Sequence, residues 1–215
     1  MNRSIIRAFA LAAVIPLAAS CGMNSAQQGA LIGAGAGGAV GAAVGHVAGS
    51  TITGAIVGAA VGGTAGALIG HQMDQQAEEL AYELPGATIQ RIGEGIAVTF
   101  PDGLLFAYDS DQVTSAAGAN LRNLAASLRK YDNTRTLIVG HTDSDGSASY
   151  NMGLSEQRAS SVARFIVNEG VNYTRVGTDG RGEDDPIATN SSADGRRQNR
   201  RVEVAIFAMS PNSSN

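Results

Sequence analysis

The chain has 215 residues, room for one ordinary domain plus extensions, and a formal net charge of −4. No Asp, Glu, Lys or Arg stands between Arg7 and Asp74; without Arg3 and Arg7 the balance is 13 bases against 19 acids, which argues against a general polyanion binder. One cysteine, Cys21, excludes an intrachain disulfide framework, and with three scattered histidines it makes a structural zinc site a poor fit.

Residues 1–20 have the layout of a secretory signal. Arg3 and Arg7 form its basic start, and 8–19 is an apolar run too short to span a bilayer. Ala18, Ala19 and Ser20 then lead into Cys21. The run LAASC resembles the bacterial lipobox, which implies cleavage before Cys21 and acylation of that residue. Three acyl chains, at about 0.8 kcal/mol per buried methylene, anchor a protein to a bilayer almost permanently. Gly22 follows Cys21, and resemblance to the enterobacterial sorting rule then implies the outer membrane of a Gram-negative cell. Residues 21–28 are read as the acylated N-terminus and a short linker.

Residues 29–73 carry a glycine repeat. Gly29, Gly33, Gly37, Gly41, Gly45 and Gly49 recur every four residues, the phase breaks at 50–53, and Gly54, Gly58, Gly62, Gly66 and Gly70 resume it. Glycine disfavours helix by about 1 kcal/mol per residue, so this spacing needs a packing reason. Small residues at i and i+4 let two helix backbones approach closely. The segment resembles the glycine zippers of bacterial envelope lipoproteins. The expectation is an antiparallel helical hairpin turning at 50–53, membrane-inserted or homo-oligomeric; a flexible linker is the alternative. Residues 74–85 turn polar, with Met73, Ala77, Leu80 and Leu84 at helical spacing and Pro85 as a stop; they predict a helical stalk.

Residues 86–208 have ordinary globular composition and predict an α/β fold, one sheet with helices packed on one side. Strand is expected over 92–106 with a turn at 101–103, helix over 111–131, strand over 136–140, helix over 150–169 ended by Gly170, and strands over 176–180 and 202–207. The last residues, 209–215, are polar and expected to be disordered.

The segments GHTDSDGSASYNMGLSEQRASSV, GRGEDDPIATN and GRRQNRRVEV resemble the OmpA-like peptidoglycan-binding domain, with its motifs in order over about 104–207. The resemblance implies an α+β sandwich of βαβαβ type and a ligand in the peptidoglycan stem peptide, chiefly its diaminopimelate. That ligand ends in an ammonium and a carboxylate on one carbon, so it needs an anion and a forked cation. Asp143 and Arg158 match the family's positions for those two roles. The residues agree: Asp143 follows a short apolar strand, and Asn151 and Arg158, seven apart, share one helix face. Thr142 offers hydroxyl and backbone groups. Arg200 matches a family arginine near the site, or pairs with Glu183, Asp184 or Asp185. Asp109 stands where the family often has Asn.

Other chemistries fit less well. Asp143, Asp145 and Gly146 suggest half a calcium loop without its distal ligands. His141 and Asp143 with nearby serines suggest a hydrolase, but no G-x-S-x-G elbow is present. No cofactor, catalysis or nucleic acid is expected. The function implied is non-catalytic tethering of the outer membrane to the cell wall from the periplasm. The alternative is a membrane-inserting or oligomerising zipper protein of envelope biogenesis or stress, with an accessory wall-binding domain.

Overall fold

The computed structural model describes residues 51–62, 67–107 and 109–209. The signal, Cys21, the first glycine arm and the tail beyond 209 lie outside them. Helix α1 (Thr51–Gly62) and helix α2 (Ala67–Glu83) precede a hairpin of β1 (Thr88–Ile92) and β2 (Gly95–Pro101). A one-turn helix α3 (Asp102–Leu105) follows, then α4 (Gly118–Lys130), β3 (Thr134–His141) and α5 (Ala148–Asn168). A 3-10 turn (Tyr173–Arg175), β4 (Val176–Gly180), α6 (Ala193–Asn199) and β5 (Arg201–Ala208) complete the described chain.

The five strands form one sheet in the order β1-β2-β5-β3-β4. All neighbours run antiparallel except β3 and β4, which are parallel and joined through α5. The fold is α/β, as the pattern predicts, with β1 and β4 at the edges of the sheet. Period-two alternation divides the strand side chains between two faces. Ile96, Val98, Phe100, Ile138, Val202, Val204 and Ile206 meet buried residues of α2, α4 and α5 in the main core.

Two expectations about the N-terminal helices are corrected. Residues 74–85 do not form a projecting stalk: Met73, Ala77, Leu80 and Leu84 are 0–7% exposed and belong to the main core. A stalk in water would leave those side chains wet, whereas burial of each large one is worth about 1.5–3 kcal/mol. Polar contacts fix the same docking, with Gln76 Nε2 donating to Ser127 Oγ at 3.1 Å and Lys130 paired to Glu79 at 2.6 Å. The folded unit therefore starts ahead of residue 86.

The second correction concerns the phase break at 50–53. Thr51, Ile52 and Thr53 open α1 and do not form a turn. Helix α1 lies on the second face of the sheet, where Ile52, Ala55 and Ile56 pack on Ala97, Leu137, Val139, Ala205 and Phe207. Helices thus cover both faces, not one. Asp185 Oδ2 accepts from the Thr51 amide at 3.2 Å, placing a carboxylate at the N-terminal end of α1, where it satisfies one free amide and favours the helix dipole.

The remaining differences are local. The expected strand over 92–106 is interrupted at Gly93–Glu94 by the β1–β2 turn, and at 102–105 by α3. Helix α4 begins at Gly118 because 111–117 pairs back: the Thr114 amide donates to Leu105 O at 2.9 Å, and Val113 bridges Phe106. Thr114 Oγ1 also accepts from the Ala117 amide, a local turn that competes with helix. Helix α6, seven residues long and capped by Ser192, has too weak a periodic signal to predict.

Candidate functional site

Two chain reversals bring the predicted residues together. Strand β3 ends at His141 opposite Arg201, so Thr142–Asp143 leaves the sheet beside Arg200, which enters it. Gly140 lets α5 approach this end of β3, since a Cβ there would strike the Ser155 backbone. Asn151, Ser155 and Arg158, at i, i+4 and i+7 of α5, are all buried on the face turned to the strand ends.

Asp143 is 5% exposed. Its Oδ2 pairs with Arg200 Nη1, and its Oδ1 accepts from the Asp145 amide at 3.1 Å. Arg200 thus bridges to Asp143, not to Glu183, Asp184 or Asp185. The Thr142 hydroxyl donates to Asp143 O at 2.9 Å, and the Thr142 amide donates to Gly182 O at 2.8 Å. Asn151 Nδ2 donates to Asp143 O at 3.2 Å and to Glu183 Oε2 at 2.6 Å. Thr142, Asp143, Asn151 and Arg200 therefore form one bonded cluster.

Arg158 stands next to that cluster but holds different partners. It is 2% exposed, not a solvated helix charge. Its Nη2 meets Asp102 at 3.1 Å, its Nε donates to Ser110 O at 3.0 Å, and its guanidinium lies 5.3 Å from the centre of the Phe106 ring. A cation buried this deeply requires such partners. Asp102 links the two halves electrostatically. Burial raises its carboxyl above the ordinary range, the Arg158 and Arg200 charges oppose that, and Asp143 adds to it. Two acids and two arginines thus share one buried patch, with Arg200 its more exposed cation at 29% of its side chain.

Asp109 lies at the rim. It is exposed, its φ is +55°, and its Oδ1 accepts from the Tyr150 hydroxyl at 2.6 Å. Its side chain is therefore a partner of α5. Asp102 and Tyr150 were not singled out by sequence reasoning, and Glu183, expected as a candidate partner of Arg200, accepts from Asn151 instead. The available signal was chemical: a buried arginine on α5 demands an acid, and Asp102 lies just past the end of a strand.

His141 is on another side of the structure. It faces the sheet surface covered by α1, is 1% exposed, and lies 3.2 Å from Glu203 without hydrogen-bond geometry. Burial lowers its imidazole below the ordinary value. Burial is also the largest influence on Glu203 and raises it, but His141 and Arg201 together outweigh that and hold it at about 2.

Comparison with known proteins places this geometry. The OmpA family model matches residues 105–200, and the YMGG-like Gly-zipper model matches residues 1–74. The chain is 42% identical over 123 residues to the probable lipoprotein YiaD of Escherichia coli K12, covering 56% of this chain and 55% of that protein. It is 32% identical over 114 residues to the peptidoglycan-associated lipoprotein of Buchnera aphidicola, covering 53% of this chain and 62% of that one. The chain spans less than two thirds of the length of these curated relatives. Its structure resembles the cell wall anchor of the T6SS from Pseudomonas aeruginosa, with a TM-score of 0.57, 32% identity, and coverage of 62% of this chain and 97% of that one. Through its C-terminal domain the chain belongs to the OmpA family, with a YMGG-like Gly-zipper region ahead of that domain.

Proposed function

We propose that this chain binds peptidoglycan without catalysis and tethers the outer membrane to the cell wall. In this reading Cys21 is acylated in the outer membrane and the folded domain stands in the periplasm. The observation that carries it is the patch at the strand ends where buried Asp102, Asp143 and Arg158 meet the partly exposed Arg200. A zwitterionic ligand centre, such as diaminopimelate of the stem peptide, matches it charge for charge. Its ammonium takes the Asp143 carboxylate, and its carboxylate takes guanidinium donors of Arg158 and Arg200. Asp102 and the Ser110 carbonyl hold Arg158 in place, while Asn151 and Thr142 fix the backbone beside Asp143. The Asp143–Arg200 pair is then exchanged for two pairs with the ligand. Relatives bearing the names peptidoglycan-associated lipoprotein and cell wall anchor support the reading.

Calorimetric titration with a stem peptide containing diaminopimelate tests it. Charge-assisted hydrogen bonds contribute roughly 1.5–3 kcal/mol, so Asp143→Ala should weaken binding about 10-fold to 100-fold. Arg200→Ala should weaken it less, because that side chain is partly solvated. Undiminished binding by a folded Asp143→Ala chain refutes the site.

A further inference from the structure

Three short segments in this domain send neighbouring residues to opposite sides. At the end of β3, Asp143 joins the wall-binding cluster, whereas His141 lies under α1. At the start of β5, Arg200 meets Asp143, whereas Arg201 meets Glu203 and the Asp185 carbonyl. In the loop after β4, Glu183 accepts from Asn151 in the cluster, whereas Asp185 accepts from the first amide of α1.

That loop, residues 181–185, is pinned on both sides. Toward the cluster, the Gly182 amide donates to Ser155 Oγ at 2.9 Å, and Gly182 O accepts from the Thr142 amide. Gly182 sits at φ +51° with the backbone of Asn151 and Met152 close by, so the loop and α5 fit tightly. Toward α1, the Thr51–Asp185 contact is fully buried, with Thr51 0% and Asp185 6% exposed. Arg201 Nη2 holds the Asp185 carbonyl at 3.0 Å. Asp185 stands two residues from Glu183, whose carboxylate accepts from the Asn151 side-chain amide that also donates to Asp143 O, so the loop is a short covalent link between the α1 contact and the cluster.

We infer that α1, the second arm of the glycine repeat, is a positioning element for the stem-peptide site, acting through the 181–185 loop. Docked on the sheet, α1 holds the loop in the conformation that orders Asn151 and Asp143. Lifted off, it frees the Asp185 carboxylate, and that side of the loop is left held through the Asp185 carbonyl and Arg201. The inference rests on the wall-binding reading above. Linkage makes the effect mutual: a stem peptide that binds the docked form more tightly must stabilise the docking of α1. An event that draws the glycine repeat elsewhere therefore loosens the grip on the wall, and a firm grip keeps the repeat folded against the sheet.

The test uses the full chain in detergent and a diaminopimelate-containing stem peptide. Hydrogen exchange of the wild-type chain should show slower exchange of α1 amides when peptide is added. The double variant Ile52→Glu, Ile56→Glu places charges on the buried face of α1 and touches no cluster residue. It should bind the peptide about five-fold or more weaker, in the usual range of coupling between sites. Binding at wild-type strength by a variant whose α1 exchanges as unfolded chain overturns the inference. So does wild-type binding that leaves α1 exchange unchanged, a readout that holds even where the double variant fails to fold. Absence of any binding to the wild-type chain sinks the wall-binding reading itself, a result distinct from either.

Discussion

Leu80 and Tyr82 lie two residues apart on α2 in opposite surroundings: Leu80 is 0% exposed and Tyr82 is 91% exposed. Truncating each to alanine separates a docked helix from a projecting stalk. Leu80 lies in the core cluster with Met73, Leu84, Leu121 and Leu124, so Leu80→Ala removes buried apolar surface and leaves a cavity. Such changes cost about 2–5 kcal/mol. Taking about 3 kcal/mol, and about 2–4 °C per kcal/mol for a domain of this size, the melting temperature should fall by about 6–12 °C. Tyr82→Ala should stay within about 0.5 kcal/mol of wild type. Thermal and urea unfolding followed by circular dichroism measures both. Equal, small shifts for the two variants would refute the docking of α2. The same reasoning requires that a fragment cut at residue 86 lose its cooperative transition, because the sheet face that α2 covers would then meet water.

Acid should weaken the domain through the pair under α1. His141 is held below its ordinary value, so the unfolded chain takes its proton first, and stability falls as pH drops below about 6.5. Glu203, at about 2 against 4.5, contributes stability above pH 4.5 that is lost as pH falls toward 2, on the order of 3 kcal/mol shared with His141. Urea midpoints measured from pH 8 downward should decline over both windows, and a flat profile would contradict this account. Cys21→Ser should move the mature chain out of the detergent-phase membrane fraction on phase separation; retention there would show that the acyl group is not its anchor.

Much of the site was legible because its residues are placed by local rules. A short apolar strand ending before Asp143, and seven-residue spacing from Asn151 to Arg158, put all three near one strand end. The pairings within the patch were not legible. Arg158 takes Asp102, 56 residues earlier, and Arg200 takes Asp143, contacts that only the sheet order creates. The helices ahead of the domain misled for a related reason. An apolar stripe at helical period looks the same whether it meets lipid, another helix or a sheet. The uncharged run before Asp74 therefore suggested a membrane, while Ile52 and Ile56 lie against Leu137 and Phe207. Among the described residues no helix is long and apolar enough to cross a membrane.

The edges of the sheet bear on how the domain behaves when crowded. An open strand edge offers unpaired amides and carbonyls to any neighbour, which is how folded domains begin to aggregate. Here both edge strands, β1 and β4, are only five residues long. On β1, Arg91 Nη1 donates to Gly95 O at 2.7 Å while its Nε pairs with Asp74 at 2.8 Å, so that edge strand carries a charged side chain. On β4, Asp179 is 2.8 Å from Arg181, so the second edge strand carries a charge as well. A domain held at high density can therefore sit beside its own copies without their sheets joining.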